Sequence, residues 1–175
     1  KKEMFELALK EIKQREKLLE KEAEARAIAI TIAAIKYQML KQDVNKNLIF
    51  NKEESLRFEG DTGPYLLYTY ARAKSILRKS KSSSKKSGEI SEKEKSLILK
   101  LARFPEIVKK SHEALAPNLI ANYSFSLSQK FNEFYHAEKV IGSESELFRL
   151  KLVEAFAQVL KNALNLLGIN TLEKM

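Results

Sequence analysis

Three observations predict an all-α fold, an antiparallel helical bundle. Five Gly and three Pro among 175 residues supply too little turn chemistry for a sheet of short strands. Runs of Ala, Leu, Glu and Lys favour helix, and apolar residues recur at spacings of three and four. An apolar content of 44% fills one good core or two small lobes.

The elements follow from periodicity and punctuation. Residues 3 to about 19 read as a charged amphipathic helix with Met4, Leu7, Ala8, Ile12 and Leu19 on its apolar side. In the next helix, roughly 22–41, Ile28, Ile32, Ile35 and Met39 form an i, i+4, i+7, i+11 stripe expected to face the core. Ala25, Ala29 and Ala33 beside it permit close packing. Residues 42–58 lose periodicity, since Asn45, Asn47 and Asn51 favour turns. Leu48, Ile49 and Phe50 are expected to form an apolar plug, with a brief helical turn near 53–57.

Gly60, Gly63 and Pro64 then break regular structure, while Asp61 and Thr62 offer oxygens to the free N–H groups of a new helix starting near Pro64. On that helix Leu66, Tyr70, Ala73 and Leu77 form a core stripe. Tyr65, Tyr68, Arg72, Ile76 and Lys79 share another side. Residues 80–90 are a Lys/Ser-rich loop expected to be flexible, because nothing apolar anchors its Ser80–Gly88 run.

Ser91 and Glu94 make a capping box for the next helix, which is interrupted at Phe104-Pro105. A short helix carrying Ile107, Val108 and Leu115 follows. Pro117 opens another, whose Ile120, Tyr123, Leu127, Phe131 and Phe134 form a core stripe that leaves Tyr135 about 100° to one side. Ser143 and Glu146 repeat the capping-box pattern before the longest helix, about 144–167. Val153, Phe156, Leu160, Leu164 and Leu167 point inward there, and Gly168 stops it. Residues 169–175 are expected to lie against the bundle.

The net charge of +9 is concentrated. Residues 64–110 hold 13 Lys or Arg against 4 Glu, and the remainder balances at 19 of each sign. A basic segment beside exposed tyrosines suits a polyanion: bases stack on aromatic and guanidinium planes while cations neutralise phosphate. A tyrosine stripe at helical spacing also suits core packing or a protein interface, and spacing alone favours those readings. With no Cys and two His, a disulfide framework and a zinc cluster are excluded, and a cytoplasmic setting is expected.

The longest apolar stretch, residues 27–40, is interrupted and too short to span a bilayer. The first residues alternate charged and apolar side chains, unlike a secretory leader. A start at Lys1-Lys2 without methionine points to a piece of a longer protein. His112 and His136 stand alone, Gly60 and Gly63 match no phosphate-binding loop, and Glu59 and Asp61 at a helix start read as dipole complements. No catalytic constellation is written here.

Phe58-Glu59-Gly60-Asp61-Thr62-Gly63-Pro64-Tyr65-Leu66-Leu67-Tyr68, with Ala71-Arg72 and Ser75-Ile76-Leu77-Arg78-Lys79, resembles the block that opens the C-terminal anticodon-binding domain of arginyl-tRNA synthetases. Further resemblances follow in order: Ile35-Lys36-Tyr37 with Leu40, Phe131-Asn132 with Phe134-Tyr135, Val159-Leu160-Lys161-Asn162, Leu166-Leu167-Gly168-Ile169, and Leu172-Glu173-Lys174-Met175. Together they span about residues 20–175 apart from the Lys/Ser linker. The family's His-x-Gly-His and Lys-Met-Ser-Lys type signatures are absent.

The resemblance implies a helical stem segment over residues 1–63, following an absent catalytic core, and an anticodon-binding bundle over 64–175. It implies that Tyr65, Tyr68 and Arg72 form an aromatic and basic platform for the anticodon loop, with Lys79 in the basic stretch that attracts phosphate. Tyr135 would be a second aromatic contact and Met175 a terminal residue near the loop. Lys139 stands where some relatives carry an aromatic side chain, which implies a phosphate contact; Asn51-Lys52-Glu53 departs from the family pattern and is given no RNA role. The partners implied are arginine tRNA and the catalytic domain in cis, in a monomer with no membrane role. No cofactor is implied for these residues, and ATP and Mg for the parent ligase. Two other readings stay open: the anticodon-binding region of another class I synthetase such as the cysteinyl enzyme, and a basic helical adaptor for a protein partner.

Overall fold

The computed structural model describes residues 2–15, 19–43, 45–47, 49–80 and 89–175, apart from the Arg15 side chain. The Lys/Ser run at 81–88 lies outside the described residues. Eight helices are described: α1 (Lys2–Arg15), α2 (Glu20–Leu40), α3 (Lys52–Ser55), α4 (Gly63–Lys79), α5 (Glu92–Ala102), α6 (Phe104–Glu113), α7 (Asn118–Ala137) and α8 (Glu146–Leu166). No strand occurs among the described residues. α1 lies on α2 and α2 on α4, which in turn packs against α7 and α8; α5 and α6 close the far side of α7.

The core is built from the stripes on α4, α7 and α8. Leu66, Ala73, Leu127, Phe131, Phe134, Val153, Phe156, Leu160 and Leu164 are fully buried. Phe131 and Phe156 stack face to face, centroids 3.8 Å apart and planes 6° apart. Such close aromatic contact fixes the spacing of α7 and α8. Gly168, at φ 66°, ends α8 in the left-handed conformation expected of a stop.

The crossing of α2 and α4 depends on small residues. A Cβ on Gly63 would lie 2.2 Å from the Ala33 carbonyl oxygen, so α4 begins directly against the α2 backbone. Thr62 caps α4, its Oγ1 accepting from the Tyr65 amide at 3.2 Å. Asp61 takes no part in this cap. Its carboxylate accepts from the Tyr37 hydroxyl at 2.5 Å and pairs with Lys41 Nζ at 3.2 Å, which ties the turn to α2.

Burial and the Asp61 charge push the Tyr37 hydroxyl far above its ordinary value. The folded chain therefore holds this proton more tightly than the unfolded chain. The resulting stability is complete below about pH 10, the unfolded phenol value, and is lost as pH rises beyond it. Urea midpoints are expected to fall at alkaline pH, and Tyr37→Phe should flatten that fall while costing about 1–3 kcal/mol near neutrality.

Further expectations fail on physical grounds, and Leu7 and Leu19, expected on the apolar side of the first helix, are exposed. The stripe Ile28, Ile32, Ile35, Met39 faces outward: Ile28 is 49% and Met39 55% exposed, while Ala23, Ala27, Ile30, Ala34 and Tyr37 turn inward. α2 is apolar on both sides, so periodicity alone cannot select the core side. Ser143 caps nothing; its hydroxyl donates to the Val140 carbonyl, and α8 starts only at Glu146, whose carboxylate accepts from the Gly142 amide and the Ser80 hydroxyl. Leu115 lies past the end of α6 at φ 50° and is exposed. Ile49 is exposed and plugs nothing; Leu48 lies outside the described residues.

Candidate nucleic-acid interface

Helical spacing puts Tyr65, Tyr68 and Arg72 on one side of α4, and the start of α4 is pinned by Thr62 and Gly63. α7 faces them with Asn132 and Tyr135. The Arg72 guanidinium is the centre of the group. Nη1 donates to Asn132 Oδ1 and Nη2 to the Tyr68 hydroxyl, both at 3.0 Å. Asn132 Nδ2 in turn donates to the Tyr65 hydroxyl at 2.8 Å. Arg72 also sits between two rings, its Cζ 4.8 Å from the centroid of Tyr68 and 5.6 Å from that of Tyr135, a cation–π arrangement.

The rings are backed by the core. Tyr135 runs nearly parallel to Phe131, with an interplanar angle of 16° and centroids 6.3 Å apart. Phe131 rests on Phe156. Tyr65 meets Phe125 edge-on at 5.7 Å. Tyr68 and Tyr135 each remain 37% exposed, so neither is simply a core residue.

The C-terminal residues reach the same place. Arg78 Nη1 donates to the Glu173 carbonyl at 2.9 Å, and Lys74 pairs with the Glu173 carboxylate at 3.4 Å. Lys36 on α2 donates to the Gly168 carbonyl. These bonds lay the tail along α4 and bring Met175 to the mouth of an open cleft of about 820 Å³. Tyr68, Arg72, Lys79, Tyr135, Lys139 and Met175 all line it.

Tyr65 does not line that cleft. It opens instead onto a second one of about 790 Å³, together with Tyr68, Arg72 and Asn132 and a mixed set of charges, Lys10 and Arg57 with Glu11, Glu53 and Glu59. Tyr68 and Arg72 belong to both and form the wall between them.

Arg26, Arg78 and Lys174 also line the Met175 cleft, and sequence reasoning does not single them out. Arg26 carries a usable signal, a cation in the alanine-rich stretch of α2; it is 8% exposed and holds Glu22 at 2.9 Å. Asn132 carries one too, an amide inside the apolar stripe of α7. The arrangement offers flat ring faces, fixed guanidinium and ammonium charge and a dry backing. Unstacked bases with attached phosphates match those features.

Residues 66–175 match the family described as the DALR anticodon binding domain. The chain belongs to this family. Its DALR-family bundle is accompanied by likeness over nearly the whole length: an arginine–tRNA ligase of Bacteroides thetaiotaomicron is 39% identical over 168 residues, covering 90% of this chain. The arginine–tRNA ligase of Pyrococcus furiosus is 41% identical over 171 residues, again 90% of this chain. The chain spans only 28% and 27% of those two relatives, matching their C-terminal part. Among solved structures, the arginyl-tRNA synthetase of Thermus thermophilus superposes with TM-score 0.85 at 30% identity, covering 99% of this chain and 32% of that one. The Plasmodium falciparum arginyl-tRNA synthetase gives TM-score 0.88 at 30% identity, with the same coverages.

Proposed function

We propose that this chain is the anticodon-reading C-terminal region of an arginine–tRNA ligase, and that the Tyr68–Arg72–Tyr135 group receives the anticodon loop. The observation that carries the reading is the convergence of two exposed tyrosines, a pre-positioned arginine and the C-terminal Met175 on one basic cleft of a DALR-family bundle. Residues 1–63 serve as the stem and 64–175 as the anticodon-binding bundle. The parent enzyme, acting in the cytoplasm as a monomer, attaches arginine to its tRNA. ATP and Mg act in the catalytic part that precedes these residues.

The mechanism follows from the code. Arginine codons CGN and AGR share a middle G, so every arginine anticodon has C in the middle, and a reader of all isoacceptors gains most from that base. A loop base swung out of its stack lies on an exposed aromatic or guanidinium face, and hydrogen bonds to its Watson–Crick edge give selectivity. Lys79 and Lys139 at the cleft rim attract phosphate, which makes affinity fall as salt rises.

Titration with an arginine anticodon stem-loop and with a copy whose middle C is replaced, each at two salt concentrations, tests this. The first is expected to bind more tightly, and Tyr68→Ala should weaken it by about 1–3 kcal/mol without lowering the melting temperature. Equal affinity for both loops sinks the reading. Binding of neither favours a protein partner for the tyrosine face.

A further inference from the structure

α2 is apolar around its whole circumference in its central turns. Ala27, Ile30, Ala34 and Tyr37 face α4 and the bundle, yet Ile28, Ile32, Ile35 and Met39 run along the opposite side, with Ile28 and Met39 about half exposed. A helix apolar all round is a buried helix. The stripe continues into a groove of about 450 Å³ between α1 and α2, lined by Lys2, Phe5, Ile28, Thr31 and Ile32. The groove's accessible lining is apolar throughout, Thr31 being buried with its hydroxyl away from solvent.

We infer that the outer face of α2, with the α1–α2 groove, is the seat of the polypeptide that precedes this chain in the longer ligase. That segment docks an apolar surface on Ile28 and Ile32. The inference rests on the reading that the chain is the C-terminal part of such a ligase, and not on anticodon recognition.

Length and position identify the occupant. More than two thirds of each relative lies outside the match and ahead of it, and α1 starts beside the groove, with Lys2 and Phe5 on its wall. A preceding segment is thus delivered to the groove at high effective concentration. RNA fits poorly, because the stripe lacks the cations that phosphate requires.

The test compares the same substitutions in the full-length ligase and in the 175-residue chain. Ile28→Glu is expected to split the melting of the full-length enzyme into two transitions and to speed protease cleavage just ahead of α1 roughly tenfold or more, while leaving the 175-residue chain's melting unchanged. Met39→Glu, on the same exposed face, should act in the same sense. Equal effects in both proteins, or none in either, overturn the inference. So does a short chain that sediments as a dimer and is dissociated by Ile28→Glu, since the face then belongs to a second copy. Loss of stem-loop discrimination with these results intact removes only the anticodon reading.

Discussion

Arg149→Ala is expected to cost about 3–5 kcal/mol of folding stability, the loss typical when one partner of a buried ion pair is removed. Glu94 is 1% exposed and its Oε1 accepts from Arg149 Nε at 2.7 Å. Its other oxygen accepts from the Ser91 amide of the capping box, at 2.7 Å. Truncating Arg149 leaves a carboxylate inside the protein with a neutral donor and no cation in contact. Urea unfolding measures the loss, and adding Glu94→Leu to Arg149→Ala should recover part of it, because no charge then remains to be solvated. A single-mutant loss below about 1 kcal/mol contradicts the burial argument.

The same guanidinium reaches the candidate interface. Arg149 Nη2 donates to Glu138 at 2.5 Å and Nη1 to the Lys139 carbonyl at 2.9 Å. These bonds fix the backbone just after α7, next to Tyr135 and Lys139. Under conditions where Arg149→Ala remains folded, stem-loop affinity is therefore expected to fall as well, although Arg149 lines neither cleft.

Gly63→Ala should be the second large effect. The added carbon meets the Ala33 carbonyl oxygen at 2.2 Å and its carbon at 2.5 Å. Both are backbone atoms and cannot swing aside. Overpacking costs about 1–3 kcal/mol, and here relief requires α4 to retreat from α2, drawing Tyr68 away from the Arg26 side of the cleft they share. Both a lower melting temperature and weaker loop binding are expected. Gly60→Ala is the control: Gly60 has φ +74° and nothing within 4 Å of the added carbon, so it should cost about 1–2 kcal/mol through backbone conformation and leave the α2–α4 spacing intact. If Gly63→Ala proves no worse than Gly60→Ala, the tight crossing is not what positions the tyrosines.

The helices from α4 onward are legible in the sequence because each signal is local. The Ser91/Glu94 capping box forms with both hydrogen bonds in place, and the α7 stripe of Ile120, Tyr123, Leu127, Phe131 and Phe134 is buried throughout. The inward side of α2 is not legible, because its two apolar sides are equally periodic and only α4 and the bundle decide between them. Nor is the fate of Ser143, whose hydroxyl finds a nearer carbonyl, a competition that sequence spacing does not display. For the interface, the helical wheel separates Tyr65, Tyr68 and Arg72 from the core stripe, yet it cannot show that Tyr65 faces a different cleft from Tyr135. That division depends on where α7 crosses α4.

Arg72 enters binding already held in place. Asn132 and Tyr68 take one hydrogen bond each, and its Cζ lies within about 6 Å of two ring centroids, so little side-chain freedom is left to lose when a ligand arrives. In the proposed reading, the ordering penalty therefore falls on the RNA, whose loop must unstack, and not on the protein. These two bonds also orient the remaining guanidinium donors, because the fork is planar and rigid. Lysine cannot reproduce this: a mobile ammonium has neither a planar face to set against Tyr68 and Tyr135 nor a rigid direction for its protons.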